Sequence, residues 1–394
     1  MRKILITGGE LENKGAQSMT FITVDELKKR FPNHSIVLNS PFDVGKSKEI
    51  KDNYKFDIEV MGNVPPVLKQ MSLKQRLYYL VKGYDSKSYT QTKKSYEDID
   101  LLVDISGYGL GSDWSDDEVK MYLYRIMCAK YFGIKVILMP QSFGPFNYKG
   151  IRALRMNRLI RKVLKYPDVI CAREQEGYDI LTQKYGLNNV IKTYDIVLNN
   201  KSVDLSNIYV KVPKMFIPEI KENSVAIIPN RQNLNYCNEK NFYLIYKRII
   251  DGLLQQNKHI YIITHSNIDR DICKSLSEIS NKITYIDREI SCIEFNQIVP
   301  KFDYVIASRY HSVVHSYKNA VPCITIGWAT KYKELHDLFD QSEYFFDIRE
   351  CVDLDSFMKK LDKMEKSHTN ESRVILDKLR MIQDKNIFDI LNLE

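Results

Sequence analysis

Short apolar runs alternate with amphipathic stretches along almost the whole chain. In the first half the runs are "KILIT" (3–7), "SIVLN" (35–39), "DLLVDIS" (100–106), "KVILMP" (135–140) and "DVICA" (168–172). Between them, residues 15–30, 117–132, 150–165 and 174–185 carry apolar positions three and four apart. Runs of that length separated by helices of that length read as βαβ units on a parallel sheet. The rhythm restarts after residue 223 with "SVAIIPN" (224–230), "HIYIITH" (259–265), "KITYI" (282–286), "DYVIAS" (303–308) and "PCITIG" (322–327). Helices are predicted over 239–256, from about 311 and from about 331.

Between the halves, residues 199–223 are polar, proline-punctuated and aperiodic, which marks a linker. The pattern therefore predicts an α/β chain with an N-terminal Rossmann-like domain over 1–200, a linker over 201–223 and a second Rossmann-like domain over 224–369. Residues 370–394, with Val374, Ile375, Leu379 and Ile382 at helical spacing, are expected to pack back across the domains. Two such halves resemble the GT-B architecture, with parallel sheets facing each other across a cleft.

Composition narrows the class. With 394 residues, 44% hydrophobic and 27% charged, the chain is large enough for two cores and needs no covalent staples. Its seven cysteines are scattered singly, which argues against a disulfide framework or zinc site and for a reducing, cytoplasmic setting. No apolar stretch approaches the roughly 20 residues a membrane span needs. The net charge of +8 suits an anionic partner. Nucleic acid is disfavoured, because no zinc finger, RNA-recognition signature or basic-aromatic repeat is present.

In open parallel sheets, ligands bind beyond the carboxyl ends of strands, where helix N-termini present free N–H groups. Several such exits are polar here. "GGELENKGAQS" (8–18) places Asn13 and Gly15 just before a helix, where a cap is the simpler explanation. It is not a dinucleotide fingerprint. "PQSFGPF" (140–146) reads as a turn that aims Gln141 and Ser142 into a cleft, and "AREQEG" (172–177) puts Arg173 at another exit. In the second half, "PNRQN" (229–233) and "THS" (264–266) end strands with Arg231 and His265.

The densest exit is "SRYHSVVHSYKNAVP" (308–322). Ser308 to His311 form a turn and first helical residues, so Arg309 and His311 both reach the cleft mouth. His315 follows four residues later on the same helical face. A metal site is disfavoured, since H-E-x-x-H is absent and no third ligand is evident. A phosphate or carboxylate fits better: Arg supplies a fork, the helix start N–H groups and His a proton. Downstream, Lys331 stands at a helix start, where a cation opposes the helix dipole unless an anion neutralises it.

The ordered segments "GGELENKGA", "PQSFGPF", "AREQEGYDIL", "YD" (194–195), "VAIIPNR", "ASRYHSVVHSYKNAVPCITIG" and "KYKELHDLF" resemble the polysaccharide pyruvyl transferase family. The similarity runs from residue 4 to about 340. It implies an enzyme that moves a pyruvyl group from phosphoenolpyruvate onto two hydroxyls of a sugar, making a ketal in capsule, exopolysaccharide or cell-wall polymer. The sequence departs from the family at Ser106-Gly107-Tyr108-Gly109, where many members read G-G-x-G, and at Trp328, where a polar aromatic is usual; both bear on the acceptor.

On that resemblance, His311 is expected as the general acid, with Arg309 and Lys331 binding the donor and Ser308, Arg231 and His265 supporting its phosphate. Asn13, Gly15, Gln141, Ser142 and Arg173 are expected on the acceptor side or closing over the donor. Phosphoenolpyruvate is the expected donor and no cofactor is expected to be tightly bound; dependence on a divalent metal and the oligomeric state stay open. The acceptor is a sugar, with a lipid-linked oligosaccharide as one form. The basic helix 150–165, with Arg152, Arg155, Arg158, Arg161, Lys162 and Lys165, is either a solvated face or a peripheral contact with an anionic membrane at its inner face. The rival readings are a nucleotide-sugar glycosyltransferase, in which Glu334 would grip a ribose, and a non-catalytic protein that binds anionic glycans.

Overall fold

The computed structural model describes residues 2–62, 92–350 and 352–391. Eight strands make the first sheet: β1 (Lys3–Thr7), β2 (Ser35–Asn39), β3 (Asp57–Glu59), β4 (Ile99–Asp104), β5 (Tyr108–Leu110), β6 (Lys135–Phe143), β7 (Val169–Ala172) and β8 (Val190–Lys192). Their order is β3-β2-β1-β4-β6-β7-β8, with β5 paired to β6. The second sheet contains β9 (Ser224–Ile228), β10 (His259–Ile263), β11 (Ile283–Ile286), β12 (Tyr304–Ala307), β13 (Cys323–Gly327) and β14 (Phe345–Asp347), in the order β11-β10-β9-β12-β13-β14. Each pairing between these strands is parallel. In both sheets the first strand sits where the order reverses, between β2 and β4 and between β10 and β12. Such switch points open a crevice at the strand ends.

The central strands are apolar because helices cover both faces of each sheet. One apolar cluster runs through both domains, joining Ile6, Met19 and Phe21 to Phe295, Val314 and Ile375. Two further clusters close the outer faces, one around Leu102, Val136 and Leu181, the other around Ile227, Phe242 and Ile262.

Four strands escape the apolar pattern, β3, β5, β8 and β14, each only three residues long. A window that short holds no periodicity. One expected turn is a strand: β6 continues through Gln141, Ser142 and Phe143, since β5 pairs with its end. The helix expected over 174–185 is Gln175–Asp179 followed by a π-helical turn, Ile180–Lys184.

The last long helix is one piece, Leu354–Ile382, and the tail beyond it crosses to the first domain. Buried Asn199 donates to the carbonyls of Ile382 (2.8 Å) and Lys385 (2.7 Å), and its oxygen accepts from the Ile387 N–H (2.8 Å). Asn386 donates to Glu26 (2.9 Å), and Arg30 pairs with Asp389 (2.7 Å). Residues 204–207 are tied to the first helix through Asp25, which accepts from the Asp204 N–H (3.1 Å) and the Asn207 amide (2.8 Å). Three backbone groups thus depend on one buried amide. Asn199→Ala leaves them unsatisfied and lowers stability by about 2–4 kcal/mol. The urea midpoint measures this, and a midpoint equal to wild type refutes it.

Candidate active site

The strand ends of the two sheets face each other, and the residues between them sort into three groups. The first surrounds Arg173, which ends β7 and is almost wholly enclosed. Its Nε donates to Glu174 (2.7 Å), Nη1 to Asp195 (2.8 Å) and Nη2 to the Ser142 hydroxyl (2.6 Å). Its guanidinium carbon lies 4.4 Å from the ring centre of Tyr310, which belongs to the facing domain. A planar cation that pairs at its edge and stacks on its face serves here as a rivet between domains.

Asp195 extends the first group. One oxygen caps the Val197 N–H (2.8 Å), and the other, already taken by Arg173, lies 3.9 Å from His311 Nε2. Burial raises its affinity for a proton, but Arg173, His311 and the Val197 N–H outweigh this and hold the carboxyl below its ordinary range. His311 is pressed against the start of the first helix. A Cβ at Gly15 would lie 2.2 Å from His311 Cγ, so glycine is the residue that admits the imidazole. Asn13 caps that helix, its side chain accepting from the Gly15 N–H (3.0 Å). Burial pushes His311 down to about 4; Asp195 opposes this, and Arg173 and Lys331 reinforce it. Its Nε2 has no hydrogen-bond partner among the described residues.

The second group is centred on a fully buried aspartate. Asp269 takes both arms of Arg309, Nε and Nη2 at 2.7 Å each, and accepts from the Arg231 N–H (2.9 Å). It therefore joins the exits of β9, β10 and β12. Next to it, the Ser308 carbonyl accepts from Asn230 and the Tyr332 hydroxyl, both at 3.0 Å, and the Ser308 hydroxyl meets Tyr246 at 2.8 Å. The Arg231 side chain instead points to solvent near Asp271 (3.5 Å).

The third group has cations without carboxylates. Lys331 forms no ion pair among the described residues; its ammonium lies 5.3 Å from the Tyr310 ring and 5.6 Å from that of Tyr108 across the cleft. Burial, with Arg173 nearby, lowers it to about 8. Lys14 is only 4% exposed, donates to the His265 carbonyl (2.9 Å) and is likewise lowered to about 8, chiefly by burial. Both nitrogens of buried His265 lack partners among the described residues, and burial holds it well below its ordinary value. His315 uses Nδ1 on Asn296 (2.8 Å), and burial takes it down to about 3. No three His, Cys, Asp or Glu side chains converge as a metal site among the described residues.

Beside Lys331 a cleft of about 320 Å³ opens between the domains, with Arg173, Asp195, Tyr310 and Glu334 in its wall. Of the expected residues Lys331 and Arg173 line this cleft; His311 packs on Gly15 beside the Asn13 cap, and Arg309 is held by Asp269. Gln141 does not face the cleft as expected. It is fully buried, donating to Asp104 (3.2 Å) and accepting from Tyr122 (3.1 Å), because continuing β6 turns it inward. Glu334 is also engaged: its carboxylate accepts from the Gln175 (2.6 Å) and Glu176 (3.2 Å) N–H groups, capping a helix of the other domain. Lys14 and Asp269 escaped the sequence reading, and Asp195, quoted in "YD", was given no role there. Asp269 lies three residues past the "THS" exit, and Lys14 between Asn13 and Gly15, so proximity along the chain was the available signal.

Solved structures share the fold across nearly the whole chain. A UDP-GlcNAc 2-epimerase from Methanocaldococcus jannaschii aligns with TM-score 0.55 at 12% identity, covering 96% of this chain and 99% of that one. A glycosyltransferase from Rickettsia africae aligns with TM-score 0.54 at 12% identity, over 98% and 97%. The Anabaena protein HepE, solved with UDP and glucose, gives 0.53 at 10% identity, over 97% of each chain. At such identities the likeness establishes the two-domain GT-B-like fold alone. No curated protein matches the chain in sequence. The family model for polysaccharide pyruvyl transferase matches residues 13–330, from the cap of the first helix to the start of the Lys331 helix, and on that match the chain belongs to the polysaccharide pyruvyl transferase family.

Proposed function

We propose that this pyruvyl transferase takes its pyruvyl group from phosphoenolpyruvate and closes it as a ketal on two hydroxyls of a sugar destined for a surface polysaccharide. The observation that carries the reading is the charge pattern at the cleft. Arg173 and Arg309 are neutralised by carboxylates, whereas Lys331 and Lys14, one from each domain, form no ion pair among the described residues. Unpaired cations in a partly dry site favour an anionic ligand. Phosphoenolpyruvate brings a carboxylate and a phosphate close together, matching Lys331 together with the free edge of Arg309.

The chemistry then follows. A proton added to the methylene carbon gives the central carbon oxocarbenium character, and a sugar hydroxyl adds there and gives up its proton. The carbon–oxygen bond to phosphate breaks, and a second hydroxyl adds with loss of its proton, so one proton is consumed and two are released. His311 supplies the first proton. In the free protein it is neutral at pH 7, because burial holds it near 4. The donor's negative charge favours the imidazolium, so His311 gains its proton as the donor binds. Asp195, at 3.9 Å, supports that cation. Glu334 supports this reading over a nucleotide-sugar donor, since its carboxylate is bound to two N–H groups rather than open to a ribose.

Incubation with phosphoenolpyruvate or a nucleotide sugar, plus a panel of aryl and lipid-linked glycosides, separates the readings: phosphate release and a ketal mass are expected from the first donor alone. Lys331→Met weakens phosphoenolpyruvate binding about 10- to 100-fold in a calorimetric titration; unchanged affinity removes that role. For His311 the sign is definite. Binding raises a depressed value, the complex holds more protons than the free protein, and affinity falls as pH rises, by at most tenfold per pH unit. The binding heat therefore depends on the buffer's ionisation enthalpy in wild type. That dependence is much smaller in His311→Asn, which loses up to about tenfold in donor affinity at pH 7 and about 100-fold or more in turnover. Buffer-independent heat in wild type overturns the proton-carrying role.

A further inference from the structure

The Gly150–Val163 helix has an outer face unlike the rest of the surface. Met156, Ile160 and Val163 are buried and hold it to the first domain. On the opposite side stand Ile151, Leu154, Arg155, Arg158 and Lys162, in one stripe by their spacing of three and four. Ile151 is 68% exposed and Leu154 74%. Arg155, Arg158 and Lys162 form no ion pair among the described residues. By contrast Arg152 donates to Asp116 (2.7 Å), and Arg161 to the Lys184 carbonyl (2.8 Å). No acidic residue occurs between Glu118 and Asp168, so the helix carries no carboxylate of its own to neutralise the stripe.

We propose that this stripe docks on an anionic phospholipid surface. Cationic side chains attract the headgroup phosphates, and the two bare aliphatic side chains at the start of the helix enter the headgroup–acyl boundary. The aliphatic pair selects lipid over nucleic acid, which offers phosphates but no apolar layer, and no aromatic residue interleaves the stripe for base stacking. No helix among the described residues is long and apolar enough to cross a membrane, so the contact is peripheral.

The place of the stripe gives it a use. The segment leading into the helix is stitched to the residues that follow β5: the Ser112 N–H donates to the Pro145 carbonyl (2.7 Å), and the Tyr148 hydroxyl to that of Gly111 (3.3 Å). β5 itself begins with Tyr108, over which Lys331 lies. The docked helix therefore sets the cleft mouth beside the lipid surface, where a lipid-borne sugar is within reach. This consequence rests on the proposed reaction; the docking does not.

Flotation with phosphatidylcholine vesicles, with and without phosphatidylglycerol, tests it on the full chain. Wild type floats with the anionic vesicles only, and less as salt rises. The variant Arg155→Gln/Arg158→Gln/Lys162→Gln loses about 100-fold in partition, and Ile151→Ser/Leu154→Ser about tenfold. All five positions are exposed, and unchanged thermal midpoints verify that the variants fold. The proposal is overturned if wild type ignores anionic vesicles, or if the charge variant floats as well as wild type. It is equally overturned if the serine variant partitions unchanged while wild type binds single-stranded RNA as tightly as vesicles, which marks a plain charged surface.

Discussion

The cleft depends on one buried cation. Arg173 leaves β7 with an almost fully enclosed guanidinium, and such a charge is tolerated only when its donors find partners. Glu174, Asp195 and Ser142 supply them from one domain, and the ring of Tyr310 supplies a face from the other. Asp195 is thereby fixed, and its second neighbour is His311. The position and ordinary charge state of the histidine in the cleft thus follow from satisfying an arginine in the first domain. Gly15 completes the constraint by admitting the ring where any side chain would collide with it.

The same logic divides the other charges. Asp269 is fully buried and takes both arms of Arg309, so that pair orders three strand exits and adds little net charge. The net positive potential is left to Lys331 and Lys14, lowered to about 8 by burial yet still mostly protonated at neutral pH. Neutralised arginines give shape and unneutralised lysines give attraction. A site of this kind holds its geometry without ligand and strengthens electrostatically when an anion displaces the remaining water. Buried histidines that are neutral when the site is empty can then follow the charge of what binds.

Much of this was readable from residue order. Apolar runs locate the central strands, because a parallel sheet covered on both faces must be apolar throughout. Polar residues after those runs point to the strand exits, so Arg309, His311 and Lys331 stand out without coordinates. Arg173 stands out too, but as a cleft residue rather than a buried rivet. Gln141 was misjudged because "PQSFGP" has the composition of a turn, whereas pairing with β5 keeps it in a strand and turns its amide toward Asp104.

The fold class, the two-domain rhythm and the family pattern are local properties, written as spacing along the chain. Which carboxylate neutralises which cation is not. Lys14 reaches the carbonyl of a residue 251 positions away, and Arg309 is matched by an aspartate 40 positions earlier. The first pairing arises from the facing of two sheets across a cleft, the second from the strand order that sets the exits of β10 and β12 on either side of β9. Electrostatic energy depends on distance and burial, and neither quantity exists until the chain has folded. Residue order therefore names the charged groups, and packing assigns each one its partner and its protonation.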